Sequence, residues 1–372
     1  MKTTHLVFPV LFATLSLIPL ARFDARDVSE RENRRLETWP SWTEFRWQTA
    51  SAWFRRAEAA FGDRFFGRYA FVEVRTWLLR VLRGHGGDRV STGRDGWLFY
   101  TATLTDFANV THYDDGEKET IAAQLNKLAR RCREKGKGFV FLIAPDKCRI
   151  YPEKVLGWQK THPDFDSRTE DLVAYLRRRC DFPVLYPRER LLNLRDRCRD
   201  ILYFKQDTHW TPLGAYFGAY LDLVDAFSKV GCSVDPVAEP EWTNDLGELA
   251  MRGLVNAHGL VKMLPPGAVD PLPVDSVSPK FDRLQMTLIG DRPRWTSSCP
   301  TGRKRLFALH DSFAKALMPF LGRTFSQVTF RWARDLRPAD EADFDACDVL
   351  LMEVVERNVG RLLTGDWKPP TE

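Results

Sequence analysis

The apolar run from Phe139 to Ile143 constrains the fold of this chain more than any other stretch. The run has the length of a β-strand and contains no polar position, so neither of its faces can be exposed to water. Strands of this kind occur in parallel sheets that helices cover on both sides. The sequence therefore predicts an α/β domain with this strand near the middle of a mostly parallel sheet. The apolar run from Val349 to Val355 predicts a second central strand.

Predicted helices and strands alternate along most of the chain, which supports the same fold class. One stretch interrupts the alternation, because residues 232–302 are rich in Pro, Asp and Gly and predict an irregular insertion. The periodicity predicts helices at 117–135, 168–179, 211–227 and 313–321, and strands at 97–100, 138–144, 184–186, 305–309, 326–331 and 348–355.

The N-terminal region differs in character from the rest of the chain. Leu6 to Ala21 is an apolar run of 16 residues, a little shorter than the ~20 residues that span a bilayer. We favour an uncleaved signal anchor over a signal peptide, because Pro19 makes the end of the run a poor cleavage site. Either alternative exports the remainder of the chain.

The sequence predicts three regions. Residues 1–26 form the signal anchor or signal peptide, and residues 27–90 form a charged stalk and a helical N-terminal region, with breaks at Gly62 and Gly67. Residues 91–365 form the main domain, which includes the insertion. This arrangement predicts a membrane contact through the N-terminal segment.

Charge and cysteine content exclude some classes of function. The formal net charge of +5 arises from 55 Lys and Arg against 50 Asp and Glu, which is too balanced to indicate a nucleic-acid partner. An anionic polysaccharide or a membrane surface fits this balance equally well. None of the seven Cys forms a Cys-x-x-Cys pair, so a zinc ribbon or a redox motif is not indicated. One or two disulfides are possible in an oxidising compartment, and the sequence leaves their pairing open.

Two polar motifs follow apolar runs that we interpret as strands. Asp207 and His209 lie in Asp-Thr-His-Trp, and Ser312 lies in Leu-His-Asp-Ser about a hundred residues later. Ligand sites of parallel sheets lie at the carboxyl ends of the strands, so the two motifs can meet there. We predict Ser312 as a nucleophile, His209 as its base and Asp207 as the group that orients the base. Each motif alone is also typical of a helix cap, which is the structural alternative.

In this order and setting, the motifs resemble the AlgJ/AlgX-like alginate O-acetyltransferases, whose SGNH-hydrolase-like domain carries Asp-x-His-Trp upstream of its serine. The resemblance covers roughly residues 28 to 365. Smaller matches are Asp95-Gly96-Trp97-Leu98-Phe99-Tyr100, Ala144-Pro145-Asp146-Lys147, Tyr151-Pro152-Glu153 and Glu353-Val354-Val355-Glu356-Arg357-Asn358.

The resemblance implies a three-layer SGNH-like domain that moves acetyl groups onto hydroxyls of an exported polysaccharide through an acyl-serine intermediate. It also implies a membrane-bound O-acyltransferase as the partner that supplies acetyl. The expected location is the periplasmic side of the inner membrane, or the periplasm if the N-terminal segment is cleaved. We see no motif for binding coenzyme A and expect no cofactor.

Further site candidates follow other predicted strands. Lys147 and Tyr151 follow strand 138–144, and Arg331 and Arg334 end or follow strand 326–331, where an Arg could bind a sugar carboxylate or the oxyanion. Asn358 could donate a hydrogen bond to the oxyanion.

His310 replaces the glycine of the Gly-Asp-Ser motif found in hydrolases of this superfamily. This replacement leaves open whether the turn at Ser312 is as tight as in those hydrolases. His310 is either a second imidazole of the site or a residue behind it or on the surface, and we predict that Asp311 caps the helix that begins at Phe313.

Three other functions remain open at this stage. An acetylesterase would use the same triad with water as the acceptor, and a polysaccharide-binding assembly factor would leave the triad idle. A metal hydrolase could use Asp207, His209, His310 and Asp311, but we find no plausible set of further ligands and predict no metal.

Overall fold

The chain forms two compact units. The first comprises Met1–Ser91 with Val261–Asp270, and the second comprises Thr92–Leu260 with Pro271–Glu372. A computed structural model describes Leu17 and residues 22–26, 28–29, 34–68, 70–71, 74, 89–108, 112–156, 167–198, 200–246, 249–250, 254–264, 269–274, 276–280, 286–289, 294–333 and 340–364.

The second unit is organised around a sheet of seven strands in the described ranges, ordered β6-β5-β13-β11-β12-β10-β9. The pairs from β6 to β12 are parallel, whereas β10 pairs with β12 and with β9 in the antiparallel sense. The strands in chain order are β1 Val28–Ser29, β2 Arg34–Arg35, β3 Val90–Thr92, β4 Leu98–Tyr100, β5 Gly138–Ala144, β6 Val184–Leu185, β7 Trp242–Thr243, β8 Ser278–Pro279, β9 Met286–Ile289, β10 Arg294–Ser298, β11 Arg305–His310, β12 Gln327–Trp332 and β13 Val349–Val355.

The two strands predicted to be central lie in the middle of the sheet, as expected. β5 pairs with β6 and β13, and β13 lies between β5 and β11. The side chains of β5 alternate between two cores, with Val140 and Leu142 in one and Phe141 and Ile143 in the other. All seven residues of each strand are buried, which explains why these runs contain almost no polar residue.

Helices cover both faces of the sheet and complete three layers. α3 and α5 contribute to the core on one face, and α8 and α9 contribute to the core on the other. The helices in chain order are α1 Ala50–Arg64, α2 Thr101–Ala108, α3 Asp115–Glu134, α4 Lys147–Ile150, α5 Arg168–Arg179, α6 Arg188–Arg195, α7 Pro212–Ala215, α8 Leu221–Lys229, α9 Met318–Thr324, α10 Glu341–Ala346 and α11 Arg361–Thr364.

Short helical segments fill several connections. A π-helical turn, Tyr216–Tyr220, joins α7 to α8, so that the predicted helix at 211–227 is one continuous element with a bulge. The 3-10 segments are Trp42–Glu44, Trp47–Thr49, Arg94–Gly96, Pro152–Lys154, Val261–Met263, Ser312–Ala316 and Glu356–Asn358.

Residues 232–302 are less irregular than the composition predicts. They supply β9 and β10, which extend the central sheet beyond β12. β10 has the sequence Arg-Trp-Thr-Ser-Ser and lacks an apolar run. β10 is paired on both sides, with β12 and β9, but a short strand without an apolar run resembles a loop in the sequence.

The predictions for the N-terminal region are only partly covered by the described residues. The apolar run Leu6–Ala21 lies outside them apart from Leu17, and none of the described helices is long and apolar enough to cross a membrane. In the predicted helical stretch 42–83, α1 continues through Gly62, contrary to the expected break, and ends at Arg64. Gly67 then adopts a positive φ of 78°, a conformation that favours glycine.

The central position of β13 leads to a stability prediction. Leu351 is fully buried in β13, and truncation of a buried Leu to Ala typically costs about 2–5 kcal/mol because a cavity remains. We expect Leu351→Ala to lower the free energy of unfolding by this amount in urea denaturation. The exposed Gln124 on α3 provides the control, since Gln124→Ala should change stability by less than about 0.5 kcal/mol. An equal effect of both substitutions would contradict the central placement of β13.

Candidate active site

Asp207, His209 and Ser312 form one hydrogen-bonded chain of side chains. The His209 Nδ1 lies 2.5 Å from Asp207 Oδ1, and its Nε2 lies 2.7 Å from Ser312 Oγ, across 103 residues of sequence. An ionised Asp207 can only accept, which assigns the ring proton to Nδ1 and leaves Nε2 free to accept the Ser312 hydroxyl proton. The structure therefore brings together the three residues that we predicted as nucleophile, base and orienting acid.

The Asp207 carboxylate is buried and held by backbone donors. Its Oδ1 also accepts the His209 N–H at 2.9 Å, and its Oδ2 accepts the Gly259 N–H at 2.9 Å. Burial acts to raise the pKa of Asp207, but the charge and hydrogen bonds of His209 outweigh it, so this pKa lies below its usual value. The side chain of His209 is 26% exposed and that of Asp207 only 3%, so the imidazole can meet a substrate while the acid cannot.

Gly259 is a contributor that sequence reasoning missed. An added Cβ at this position would lie 1.9 Å from Asp207 Oδ2, which is too close for any side chain. A residue without Cβ is therefore required for the backbone to approach the carboxylate. The glycine lies within the segment predicted as an irregular insertion, 52 residues after Asp207, and no motif in the sequence connects the two.

Lys147 lies beneath the loop that carries Asp207, and not at the substrate surface where we predicted it. Its ammonium donates to the carbonyl oxygens of Phe204 at 3.1 Å, Lys205 at 3.0 Å and Asp207 at 2.6 Å. Only 3% of the residue is exposed, and burial lowers the pKa of Lys147 to about 7. The protonated amine has three N–H donors, one for each carbonyl, so Lys147 fixes the path of the loop.

Two aromatic residues of the Gly96-Trp97-Leu98-Phe99 match, Trp97 and Phe99, pack against the Lys147 ammonium. The rings of Trp97 and Phe99 have centroids 5.4 Å and 5.0 Å from the Lys147 nitrogen, within the range of a cation–π interaction. Tyr151 packs against Trp97 and its hydroxyl accepts the backbone N–H of Leu202 at 2.9 Å. Tyr151 is thus a buried support for the strand-like segment before Asp207, which differs from the substrate-binding role that we predicted.

Trp210 connects the loop of the base to the helix of the nucleophile. Its indole N–H donates to the carbonyl oxygen of Phe313 at 2.8 Å, and the indole is fully buried. The Phe313 ring in turn packs against the His209 ring at 4.8 Å between centroids. A buried Trp needs a partner for its N–H, and this one places His209 next to the residue that follows Ser312.

Asp311 holds the turn on which Ser312 is presented. Its Oδ1 accepts the Phe313 N–H at 2.9 Å, and its Oδ2 accepts the Val355 N–H at 2.8 Å and the Asn358 side-chain amide at 3.1 Å. The predicted cap by Asp311 is present on the 3-10 segment that begins at Ser312, one residue earlier than expected. Asn358 binds Asp311, so its amide supports the turn and is not directed at an oxyanion as we predicted.

His310 is buried at the end of β11 and is not a surface residue. Its Nδ1 lies 2.5 Å from the carbonyl oxygen of Asp311, and its ring packs against that of Trp332. Burial lowers the pKa of His310 to about 4, so the imidazole is neutral at neutral pH. Among the described non-glycine residues only Asp95 has a positive φ, so the position of His310 does not require the glycine found in the superfamily motif.

Glu353 is a buried acid beneath the nucleophile turn. Its Oε2 accepts the backbone N–H of Asp311 at 3.0 Å, and the residue is fully buried. Burial, with the nearby Asp311 carboxylate, raises the pKa of Glu353 well above its usual value, which favours its protonated form. The Glu353–Asn358 match thus provides three groups that bind Asp311, namely the Glu353 carboxyl, the Val355 N–H and the Asn358 amide.

The remaining family matches join one another through buried ion pairs. Arg357 pairs with the Asp146 carboxylate. The backbone N–H of Asp146 donates to the Glu356 carboxylate at 3.0 Å. Glu356 also accepts from Arg149 at 3.0 Å. Burial raises the pKa of Asp146 to about 6, against the opposing charge of Arg357. These contacts tie the end of β5 to the end of β13, which are neighbours in the sheet.

Arg331, predicted to bind a sugar carboxylate or the oxyanion, is buried in an ion pair. Its Nε binds the Asp340 carboxylate at 2.9 Å, and both side chains are buried. The prediction treated Arg331 as an exposed strand end, but it lies within β12, where a desolvated guanidinium needs a buried carboxylate. The other predicted cation of this strand end, Arg334, lies outside the described residues.

The described side chains contain no group of three or more His, Cys, Asp or Glu that could hold a metal ion. His310 and Asp311, which the metal alternative would require, are engaged with the backbone of the turn. All seven Cys lie in the described ranges and all are unpaired thiols.

Comparison with known proteins identifies the domain type. Residues 90–230 match the family model described as "SGNH hydrolase-like domain, acetyltransferase AlgX". This segment includes the Asp207 loop and ends before Ser312. Residues 90–230 are thus similar to the AlgX acetyltransferase domain. The resemblance predicted from the motifs is thus confirmed, and the parallel sheet with helices on both faces agrees with an SGNH hydrolase-like fold.

Two curated relatives of this chain carry the name "Probable alginate O-acetylase AlgJ". The Pseudomonas aeruginosa protein is 30% identical over 132 residues, which is 35% of this chain and 31% of the relative. The Pseudomonas syringae pv. tomato protein is 26% identical over 168 residues, which is 45% of this chain and 41% of the relative. The match thus spans well under half the length of these relatives.

Two solved structures among those that match this chain are a domain of Pseudomonas putida AlgJ and Bacillus cereus PatB1. The O-acetyltransferase domain of Pseudomonas putida AlgJ is 18% identical to this chain with a TM-score of 0.44. The match covers 73% of this chain and 92% of that domain. Bacillus cereus PatB1 with a sulfonyl adduct is 16% identical to this chain with a TM-score of 0.48. The match covers 73% of this chain and 97% of that protein.

The close approach of Gly259 leads to a second prediction. Gly259→Ala must move the backbone away from Asp207 and remove an N–H donor from a charged acceptor, which is worth roughly 1.5–3 kcal/mol. We expect a serine-directed fluorophosphonate probe to label Ser312 at least about tenfold more slowly, since 1.4 kcal/mol corresponds to a factor of ten.

A matched glycine provides the control for this prediction. Gly62 in α1 has nothing within 4 Å of an added Cβ, so Gly62→Ala should leave labelling unchanged and the helix at least as stable. Unchanged labelling in Gly259→Ala would show that this N–H does not support the acid.

Proposed function

We propose that this chain is an O-acetyltransferase that moves acetyl onto hydroxyls of an exported polysaccharide through an acyl-Ser312 intermediate. The observation that carries the proposal is the hydrogen-bonded chain from Ser312 through His209 to Asp207, with the serine on a strand-to-helix turn. The match to an acetyltransferase family model supports the choice of acyl group.

In the first half-reaction, Ser312 Oγ attacks the acetyl carbonyl carbon while His209 Nε2 takes the hydroxyl proton. The negative oxygen of the tetrahedral intermediate is stabilised by the backbone N–H of Ser312. The bond to the donor oxygen then breaks, and His209 returns its proton to that leaving oxygen. The products are the deacetylated donor and the acetyl ester of Ser312.

In the second half-reaction, a polysaccharide hydroxyl attacks the acetyl ester. His209 takes the hydroxyl proton and delivers it to Ser312 Oγ as the ester bond breaks, which regenerates the free serine. In both halves, Asp207 keeps the proton on Nδ1 and stabilises the imidazolium that forms. Its low pKa and its backbone donors keep it ionised throughout.

The proposal includes a partner and a location. A membrane-bound O-acyltransferase supplies the acetyl group, and the domain acts on the periplasmic side of the inner membrane. The apolar run from Leu6 to Ala21 supports export, and the curated relatives named as alginate O-acetylases suggest an anionic polysaccharide as the acceptor.

Substitution of the triad tests the mechanism. Ser312→Ala should abolish acetyl transfer and acyl-enzyme formation while the domain stays folded, and His209→Ala should do the same. Asp207→Asn should lower the rate by about 10⁴, as when the imidazole of a Ser-His-Asp enzyme is left in the wrong tautomer. The assay follows acetyl release from an ester donor with and without oligosaccharide acceptor, and mass spectrometry follows the acetyl-serine.

The outcomes separate the candidate functions. Acetate release that is independent of oligosaccharide indicates an acetylesterase, and an unlabelled Ser312 in a folded protein indicates a non-catalytic assembly factor. Wild-type transfer by Ser312→Ala would refute the assignment of the nucleophile. Unfolding of that variant would favour the alternative of a structural helix cap.

The location is tested by reporter fusions to the C-terminus. A phosphatase that requires export for activity, fused after Glu372, should be active, and a reporter that works only in the cytoplasm should be silent. Deletion of residues 2–21 should reverse both signals because it removes the apolar run. Activity of the cytoplasmic reporter in the full-length fusion would contradict export.

A further inference from the structure

Exposed large hydrophobic side chains are confined to the first unit among the residues that the structure describes. The second unit, although much larger, contributes none of them. Trp47 is 84% exposed, Trp42 is 74% exposed and Phe54 is 57% exposed. Monomeric soluble proteins rarely expose several neighbouring apolar side chains without a binding partner. The unequal distribution therefore indicates that the first unit has a contact surface.

Three of these exposed side chains, Trp42, Trp47 and Phe54, join the half-buried Phe45 and the buried Trp53 in one aromatic patch. The Phe45 ring lies at its centre, with ring centroids 5.4 to 6.2 Å from the other four. Trp53 anchors the patch, because its ring is buried and its N–H donates to the Ser41 carbonyl oxygen at 3.0 Å. The patch is thus a folded feature at the start of α1.

The residues beside the patch carry a net positive charge. Arg46, Arg55 and Arg56 are exposed there. Glu44, the acidic residue of the same stretch, pairs with Arg56 at 2.7 Å, and Arg46 donates to the carbonyl oxygens of Thr43 and Phe45. Residues 22–90 contain 14 Arg and no Lys against 10 Asp and Glu. Guanidinium groups bind phosphate in bidentate geometry and their stems cover apolar surface. This composition matches the headgroup region of an anionic membrane.

The geometry of the rings argues against a polysaccharide as the occupant of the patch. Sugar rings stack on flat aromatic faces, but Phe45 meets Trp47 at 76°, Trp53 at 87° and Phe54 at 80°. Trp42 and Trp53 lie closer to parallel, at 34°, but the five rings together do not form one flat platform. A lipid interface, which is fluid, places no such demand on ring orientation.

The residues that follow the apolar run Leu6–Ala21 are hydrogen-bonded to the C-terminal end of α1, whereas the patch lies at its N-terminal end. The Arg64 guanidinium donates to the carbonyl oxygens of Asp24 and Arg26, each at 2.8 Å. α1 has 15 residues, which gives about 22 Å between its ends at a rise of about 1.5 Å per residue. A membrane contact at both ends would lay this helix along the bilayer surface.

We propose that the first unit binds the surface of a membrane with anionic headgroups and inserts the aromatic patch at the boundary between headgroups and acyl chains. Trp and Phe are enriched at this depth in membrane-associated proteins, and Arg on the polar side adds attraction to phosphate. The surface contact is separate from the apolar N-terminal run and from the triad, so it does not rest on the proposed enzymatic function.

Quenching by brominated lipids tests the insertion in the full chain. The protein is combined with vesicles of phosphatidylethanolamine and phosphatidylglycerol whose acyl chains carry bromine close to the headgroup. We expect these vesicles to quench part of the Trp emission, and the variant Trp42→Phe/Trp47→Phe to lose most of that quenching. Phe keeps the apolar area, so the variant should remain bound and folded, which circular dichroism checks.

A matched variant distinguishes insertion from mere proximity to the bilayer. Trp242→Phe/Trp295→Phe removes two half-buried Trp of the second unit and should leave the quenching unchanged. Equal quenching in wild type and both variants would refute the proposal, because the patch would then lie outside the bilayer. A change in Trp42 and Trp47 emission on addition of a soluble polyuronate, without quenching by vesicles, would refute it in favour of a saccharide site.

Discussion

The burial of charged groups away from water at the carboxyl edge of the parallel sheet is the constraint on which the site depends. Charged groups buried there are costly unless each is paired or hydrogen-bonded. Lys147 meets this requirement with three carbonyl oxygens, and Asp207 and Asp311 meet it largely with backbone N–H groups. Because backbone groups cannot move without the elements that carry them, the same contacts that satisfy the charges fix the loop and the turn.

The site contains two kinds of buried acid, separated by their surroundings. An imidazole and N–H donors hold the pKa of Asp207 below its usual value, whereas burial beside another carboxylate raises the pKa of Glu353. Environments that shift the pKa values of two carboxyl groups in opposite directions allow one group to carry charge and the other to donate a proton. Here the acid with the lowered pKa faces the exposed histidine, and the acid with the raised pKa faces the turn from below.

Several residues of the short family matches are buried and support the loop and the turn that carry the triad. Trp97 and Phe99 lie under Lys147, and Asp146 and Arg357 join two strand ends. Such residues resemble surface groups in a sequence because they are polar and follow strands. Their roles depend on partners that are distant in the chain, which explains why Lys147, Arg331 and Asn358 were assigned to substrate binding from sequence alone.

The features that could be predicted from the sequence were those with local or compositional signals. The apolar runs predicted β5 and β13, and the order of the two polar motifs predicted that Asp207, His209 and Ser312 would meet. Gly259 had no such signal, since its importance lies in a missing Cβ against a carboxylate 52 residues away. β9 and β10 lacked one as well, because they are short and lie in a stretch rich in Pro, Asp and Gly.

The central place of β13 has a consequence for how the molecule is made. This strand follows every other described strand in the sequence, yet it lies between β5 and β11. During synthesis the chain presents β5 and β11 without the strand that joins them, and closing such distant pairings is slow. The hydrogen bonds from Val355 and Asn358 to Asp311 also form only then. A nascent or C-terminally shortened chain therefore carries all three triad residues without the strand that braces the nucleophile.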